Sequence, residues 1–219
     1  MKVVGQPDII SVDVDSDVRR EDRELAAENR KLLDRQGITA IDVMGSVGSG
    51  KTSFLMQVAR TLKGRRMAAL AGDLTTTIDA QRIIDAGMDC IQVNTGRMCH
   101  LDARIVRKAF DELDLDNLDL LFIENVGNLI CPAGFPLGSH RRLVIISVTE
   151  GPYMAAKHPY MFMDADVVLI NKVDLAEAMK VDPASIEQDV HRLKPGLPVI
   201  RTDCSRGLGV SEALRALGL

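Results

Sequence analysis

One short segment constrains the fold of this chain more than any other. Residues 44–52 read M-G-S-V-G-S-G-K-T and lie between an apolar run, Ile38 to Val43, and a helix-patterned segment, Ser53 to Leu62. A glycine-rich loop between a strand and a helix, ending in Lys51 and Thr52, is typical of a phosphate-binding loop. Its backbone N–H groups curl around a phosphate, and the helix directs the positive end of its dipole at the anion. The segment therefore predicts binding of a nucleoside triphosphate.

The positions of this loop have separate predicted tasks. Lys51 supplies positive charge to the terminal phosphates, and the Thr52 hydroxyl binds Mg²⁺. A glycine-rich turn without a ligand is the alternative, and the strand-loop-helix context disfavours it. Further contacts with the nucleotide are predicted at Gly45, Val47, Gly48, Ser49, Gly50 and Ser53.

Charge and composition narrow the class of partner. The formal net charge is −4 and no basic run is present, which argues against nucleic acid as the main partner. No apolar stretch approaches the ~18 residues of a membrane-spanning helix, and the N-terminus shows no signal-peptide pattern. We therefore expect a cytoplasmic protein. The cysteines are spaced too irregularly for a disulfide framework, so thiols or metal ligands are expected at Cys90, Cys99, Cys131 and Cys204.

Short apolar runs alternate with helix-like segments from Gly37 onward. This alternation predicts one α/β domain at 37–219, with a mostly parallel sheet covered by helices on both faces. Residues 1–36 are expected to form an N-terminal extension whose amphipathic helix, within Asp13 to Arg35, either packs on the domain edge or docks a partner. The predicted strands are Ile38–Val43, Met67–Ala71, Cys90–Val93, Leu118–Val126, Leu143–Val148, Asp166–Ile170 and Pro198–Arg201.

The four residues after the sixth predicted strand indicate which base is bound. Asn171, Lys172 and Asp174 form an N-K-x-D pattern. An aspartate carboxylate accepts hydrogen bonds from the N1–H and exocyclic amine of guanine, a donor pair that adenine lacks, and the lysine stem lies along the base. The pattern favours GTP over ATP, although a polar turn that caps a helix is the alternative for these residues alone. Residues 202–207, T-D-C-S-R-G, occupy the place of a further base-contacting loop and receive little weight.

Acidic side chains at two other strand ends are candidates for Mg²⁺. Glu124 ends the fourth predicted strand, and Gly127 follows it at a position that suits a backbone contact with the γ-phosphate. Asp73 ends the second predicted strand, before a threonine-rich segment that is expected to order around Mg²⁺ and the γ-phosphate. Asp79 is the weaker candidate in this segment. A helix-capping role is the alternative for both aspartates.

Thiol and imidazole groups follow two of the predicted strands. Cys99 and His100 come after the third strand, and Cys131 lies four residues beyond Gly127. Two thiolates and an imidazole suit Zn²⁺, Ni²⁺ or Cu and leave a coordination position open. Metal affinity would then depend on the nucleotide, and by linkage the nucleotide would respond to the metal. The alternative is two small buried cysteines and a capping histidine.

The remaining cysteines and histidines carry weaker expectations. Cys90 lies in an apolar strand and is expected in the core, whereas Cys204 is ambiguous. Three histidines have no partner at a recognisable spacing, and we expect surface positions for His140, His158 and His191.

Taken together, these motifs resemble those of the nickel-insertion GTPases of hydrogenase maturation, the HypB family. The resemblance extends over residues 20–219, and its specific parts are C-H-L at 99–101 and E-N-V-G-N-L-I-C-P at 124–132. It implies slow GTP hydrolysis, homodimerisation favoured by GTP, and nickel or zinc bound at the dimer interface by Cys99, His100 and Cys131. It also implies a HypA-type nickel metallochaperone as partner and the [NiFe] hydrogenase large subunit as client.

This resemblance leaves several alternatives open. A urease-type nickel GTPase usually carries Cys-Pro-His, whereas here His100 directly follows Cys99. A regulatory GTPase with a structural zinc and a non-enzymatic metal buffer are the other candidates. Some family members have an N-terminal C-x-x-C motif or a histidine-rich nickel store, and this sequence shows neither. We therefore expect nickel to be handled by the GTPase domain or brought by a partner.

Overall fold

A parallel sheet organises the protein. The structure, a computed structural model, describes residues 15–96 and 98–219, except for the side chains of 15–19, 131 and 133. Across the sheet the strand order is β3-β2-β4-β1-β5-β6-β7, and the paired strands are parallel. The predicted P-loop NTPase architecture is confirmed. The strands are β1 Thr39–Met44, β2 Met67–Asp73, β3 Asp89–Asn94, β4 Leu120–Glu124, β5 Arg141–Ser147, β6 Val167–Asn171 and β7 Val199–Arg201.

Helices cover both faces of the sheet, as predicted. They are α1 Asp15–Gln36, α2 Lys51–Thr61, α3 Ile78–Asp85, α4 Ala103–Phe110, α5 Met154–Lys157, α6 Pro159–Met163, α7 Ala176–Met179, α8 Pro183–Leu193 and α9 Val210–Leu217. Helices α2, α3 and α9 pack on one face, whereas α1, α4, α5, α6 and α8 pack on the other. Among the described helices, none is long and apolar enough to cross a membrane.

Strand β1 shows why the predicted strands read as nearly continuous apolar runs. Ile41 and Val43 face α2 and are fully buried, while Ala40 and Met44 face the opposite helices and are equally buried. A strand covered on both faces has no solvent-facing register, so polar alternation disappears. Burying each large side chain contributes about 1.5–3 kcal/mol, which holds β1 and its loop in a fixed position.

Four strand boundaries, in three strands, differ from the predicted ones by two residues. β2 ends at Asp73, two residues beyond its predicted end at Ala71. β4 begins at Leu120 and ends at Glu124, so the strand is shorter than its apolar run at both ends. β5 begins at Arg141, before the apolar residues, because Arg142 lies beside the buried Asp42 of β1 and forms an ion pair of 3.4 Å with it. An interior charge pair of this kind leaves no apolar signature in the sequence.

Helix α1 packs against the sheet and α4. The part of its predicted range at residues 13–14 lies outside the described residues, and the helix is present from Asp15. Ala26 and Leu33 are buried, and Leu33 belongs to the same apolar cluster as Leu121 of β4. The division of the chain at residue 36 stays a prediction.

His140 corrects an expectation, since it was predicted as a surface residue without a partner. Its Nδ1 accepts a hydrogen bond of 3.0 Å from the backbone N–H of Ala40, and its Nε2 lies 2.9 Å from a carboxylate oxygen of Asp34. It therefore connects β1 with α1. His191 also has a partner, because its Nε2 lies 3.0 Å from the carbonyl oxygen of Leu197.

Candidate functional site

The phosphate loop occupies the turn between β1 and α2. The Nζ of Lys51 donates to the carbonyl oxygens of Gly45 and Ser46, at 3.2 and 3.0 Å. Burial lowers the pKa of Lys51, and the nearby carboxylate of Glu124 opposes that shift. In this arrangement the Lys51 side chain folds back and binds the backbone of its own loop. A phosphate that entered the loop would accept hydrogen bonds from Nζ in place of these carbonyls. It would also give the buried ammonium group an anionic partner.

A cavity of about 350 Å³ lies above the carboxyl ends of the strands, beside this loop. Loops after β1, β2, β4 and β6 all contribute to it, as the topology of a parallel sheet requires. Four of the predicted nucleotide-contacting residues, Gly45, Ser49, Asn171 and Asp174, lie outside its lining. The described side chains and backbone that line it are those of Val47, Gly48, Gly50, Lys51, Thr52, Ser53, Gly72, Asp73, Asp79, Arg82, Glu124, Asn125, Gly127 and Lys172.

Asn171 connects the predicted guanine motif to the phosphate loop. Its Nδ2 donates to the carbonyl oxygen of Ser49 at 2.8 Å, and its Oδ1 accepts from the Thr202 hydroxyl and the Cys204 N–H. A Cβ at Gly50 would lie 2.1 Å from that Nδ2, and Gly50 has a φ of +108°. Only glycine fits there. The loop at 202–207 thus braces the site, a role that its sequence did not reveal.

The residues after Asn171 present the predicted base-reading groups. Lys172 adopts a left-handed φ of +60°, a conformation that costs a non-glycine residue roughly 1 kcal/mol and is concentrated at functional sites. Asp174 follows in a 3-10 turn, Val173–Leu175, and is exposed. Its carboxylate is available to a base that lies beside the cavity.

Thr52 and Glu124 meet at the floor of the cavity. The Thr52 hydroxyl donates to Glu124 Oε1 at 2.9 Å, while the buried Oε2 has no hydrogen-bond partner. Burial raises the pKa of Glu124 to about 7, although Lys51 and the Thr52 hydrogen bond lower it. A hydroxyl and a carboxylate oxygen left without a partner are the hard donors that Mg²⁺ prefers. These residues fit the predicted magnesium site.

The two aspartates predicted for Mg²⁺ also line the cavity. Asp73 accepts hydrogen bonds from the N–H of Leu74 at 2.6 Å and from the Thr76 hydroxyl, and the latter chiefly lowers its pKa. These bonds hold the turn before α3, whereas the N-cap of α3 is Thr77, so Asp73 does not take the helix-capping role that was its alternative. Asp79 pairs instead with Arg82, at 3.3 Å. Sequence analysis missed Arg82, which places a second cation beside the phosphate end of the cavity.

The predicted transition-metal ligands lie on two adjacent loops. Cys99 Sγ is 3.8 Å from His100 Nδ1, and the His100 ring stacks on Phe135 with centroids 3.9 Å apart. Phe135 directly follows the 3-10 turn Cys131–Gly134, so the two loops touch. Burial lowers the pKa of His100, with Asp102 and Asp22 opposing, which favours the neutral imidazole that binds metals.

The side chain of Cys131 lies outside the described residues. Among the side chains that are described, no group of three or more His, Cys, Asp or Glu residues is placed to hold a metal ion. The contact between the two loops is the stacking of Phe135, which follows the Cys131 turn, on His100, and the three-ligand site stays a prediction. Cys204 is buried in the core, whereas Cys90 is only partly buried and packs against that core. Burial raises the pKa of Cys90 to about 12 and that of Cys204 to about 11, so both remain thiols.

Residues 39–201 match the family described as CobW/HypB/UreG, nucleotide-binding domain. The probable hydrogenase maturation factor HypB of Methanocaldococcus jannaschii is 45% identical over 190 residues, which make up 86% of each chain.

Two solved structures are similar over nearly the whole chain. The crystal structure of hydrogenase maturation factor HypB from Archaeoglobus fulgidus aligns with a TM-score of 0.83 and 37% identity, covering 91% of this chain and 98% of that chain. HypB from Helicobacter pylori, solved in complex with nickel, aligns with a TM-score of 0.85 and 35% identity, covering 90% and 93%.

Proposed function

This chain belongs to the CobW/HypB/UreG nucleotide-binding family and to its HypB members, and on that basis we propose that it is a metal-binding GTPase. In this proposal, GTP binding, GTP hydrolysis and homodimerisation are coupled to nickel delivery during [NiFe] hydrogenase maturation. The observation that carries the proposal is the cavity in which Lys51, Thr52 and Glu124 converge, next to the loop of Cys99 and His100.

The phosphate end of the cavity supports phosphoryl transfer. Lys51 exchanges the carbonyls of Gly45 and Ser46 for the terminal phosphates, and the loop N–H groups stabilise the charge that develops on them. Thr52 and Glu124, with Asp73 as the nearer aspartate, would hold Mg²⁺. When bound, Mg²⁺ neutralises charge on the transferring phosphoryl group.

The base end supports guanine recognition. Asn171 fixes the N-K-x-D loop against the phosphate loop, and exposed Asp174 offers its carboxylate to the N1–H and exocyclic amine. A carboxylate that is covered by the base but receives no hydrogen bonds from it costs free energy, so adenine should bind much more weakly than guanine.

Nickel is the proposed cargo, with zinc as its competitor. Cys99, His100 and Cys131 are the proposed ligands, supported by the contact between their loops and by the nickel complex of the Helicobacter pylori protein. A HypA-type metallochaperone is the proposed partner, and the [NiFe] hydrogenase large subunit is the client. Homodimerisation is tested by sizing with GDP and with a non-hydrolysable GTP analogue, and an unchanged monomer contradicts it.

Replacing the proposed guanine-reading carboxylate tests the nucleotide assignment. Asp174→Asn presents a donor where guanine also has donors, so affinity for a GTP analogue should fall by about 100-fold or more. Xanthosine nucleotides, with a carbonyl in place of the amine, should gain affinity. Binding is measured by isothermal titration, with exposed Glu177→Gln as the matched control.

The same titration has a clear contrary result. Equal affinity for guanosine and adenosine nucleotides in the wild type, or an Asp174→Asn variant that binds like Glu177→Gln, would remove the guanine assignment.

Turnover should disappear in Lys51→Ala while the protein stays folded, because the loop loses its charge for the phosphates.

A further inference from the structure

The segment 125–128 lies between the nucleotide cavity and the loop of Cys99 and His100. Asn125 and Gly127 line the cavity. A Cβ at Gly127 would lie 2.6 Å from Cγ2 of Val47, so this backbone is pressed against the phosphate loop. Asn128 forms an isolated antiparallel bridge with Gly45, at the beginning of the phosphate loop. The backbone of Asn128 is therefore in direct contact with the beginning of the phosphate loop.

Two asparagine side chains of this segment bind the backbone on either side of the predicted metal ligands. Asn125 Oδ1 accepts a hydrogen bond of 3.0 Å from the N–H of Leu101. Asn128 Nδ2 donates a hydrogen bond of 3.4 Å to the carbonyl oxygen of Cys99. Residues 99 and 100 are thus held from both ends by a segment that also borders the nucleotide.

The two contacts differ in how firmly they are fixed. Asn125 is fully buried, its Oδ1 also accepts from the Val126 N–H, and its Nδ2 lies 3.4 Å from the buried Asp42. Arg142 in turn pairs with Asp42. Asn128 is only half-buried, and its bond to Cys99 is long. The Leu101 end is anchored in the core, whereas the Cys99 end is adjustable.

We propose that Asn128 is the positioning residue that transmits the nucleotide state to the nickel ligands, through its hydrogen bond to the Cys99 carbonyl. This inference rests on the proposed function. When Gly45 moves, the backbone bridge moves Asn128 with it, and the side-chain amide of Asn128 shifts. That shift reorients the peptide group of Cys99, while Asn125 keeps Leu101 in place. The spacing between the Cys99 thiolate and the His100 imidazole then differs between nucleotide states, and so does the affinity for nickel.

Nickel affinity measured in two nucleotide states tests this role. Wild type, Asn128→Ala and the exposed control Asn117→Ala are titrated with Ni²⁺ against a competing chelator, in GDP and in a non-hydrolysable GTP analogue. The wild type and Asn117→Ala should show affinities that differ by about 10-fold between the two states. In Asn128→Ala the ratio should fall to about 1, with nucleotide affinity unchanged, because the backbone bridge to Gly45 remains.

A second variant isolates the donor group. Asn128→Asp keeps the oxygen that accepts from the Ile130 N–H at 2.9 Å but lacks the donor for Cys99, so its ratio should also fall to about 1. The absorption of the nickel–thiolate bond should likewise stop differing between the two nucleotide states in both variants.

The outcomes separate this inference from the function on which it rests. If the wild-type ratio is already 1, the two sites are uncoupled, and both the coupled function and the role of Asn128 are overturned. If the wild type is coupled and both variants keep its ratio, coupling passes elsewhere and only the role of Asn128 is overturned. An equal loss of nickel affinity in both states marks a purely structural role and also overturns the inference.

Discussion

Glu124 is a single residue whose protonation is set by the fold. Burial raises the pKa of its carboxyl from 4.5 to about 7, against the opposing effects of Lys51 and Thr52. Between these values the unfolded chain releases a proton that the folded chain keeps, so the stability of nucleotide-free, metal-free protein falls as pH rises. The shift corresponds to roughly 3 kcal/mol across that window. Glu124→Gln retains an acceptor for Thr52 and does not titrate, so its stability should depend less on pH.

Urea unfolding at intervals between pH 4.5 and 7 measures this difference. The exposed control Glu112→Gln should keep the wild-type slope. If Glu124→Gln also keeps that slope, the Glu124 carboxyl is already ionised in the folded protein at low pH, and burial does not control its protonation.

The contacts of two asparagines, Asn128 and Asn171, could not be predicted from the sequence. The predicted tasks of Lys51 and Thr52 follow from local spacing, because both residues belong to one continuous loop motif. Asn128 and Asn171 act on partners that are 29 and 122 positions away in the chain. Such contacts depend on which strand ends become neighbours, and that order is not written in the local pattern.

Helix α1 is an element whose packing predicts a measurable contribution. Its Asn29 is fully buried and donates from Nδ2 to the carbonyl oxygens of Ala103 and Leu137, at 2.9 and 3.2 Å. Ala103 follows the Cys99 loop and Leu137 follows the Cys131 turn. Asn29→Ala leaves both carbonyls without that partner, so the free energy of unfolding should fall by about 1–3 kcal/mol, measured by urea denaturation.

The exposed control Asn117→Ala should change stability by less than about 0.5 kcal/mol. Nickel affinity in Asn29→Ala should fall equally in GDP and in the GTP analogue, because the helix binds the backbone after the loops of the proposed ligands and contributes nothing to the described cavity lining. If Asn29→Ala is as stable as the wild type, the docking of α1 does not depend on Asn29.

The bounds of a strand could be predicted closely where burial on both faces makes its sequence continuously apolar. β1 and β6 lie inside the sheet, and their predicted bounds are shifted by only one residue from the observed ones. β5 was predicted to begin too late, because its first residues are arginines. Arg142 is mostly buried against Asp42 of β1, whereas Arg141 is exposed beside Asp166. Periodicity detects apolar faces and cannot detect a charge that is buried with its partner.

At the scale of the whole molecule, the phosphate loop, the Cys99 loop and segment 125–128 lie at one edge of the sheet. Segment 125–128 contacts the phosphate loop, contacts the Cys99 loop and leads directly to Cys131. The convergence of these loops followed from parallel topology, whereas the Cys131 side chain lies outside the described residues. Because both sites share this segment, nucleotide and nickel should alter each other's affinity by the same factor.

The most direct measurement is nickel and zinc titration of the purified protein, in GDP and in a non-hydrolysable GTP analogue, for wild type and Cys131→Ala. The analogue should change the affinity or stoichiometry of metal binding in the wild type. Cys131→Ala lacks one of the three proposed ligands, so it should lose tight metal binding and with it that change, while guanine nucleotide affinity remains. Metal binding that ignores both the nucleotide and the substitution would contradict nickel delivery governed by GTP and leave a GTPase with an unrelated thiol cluster.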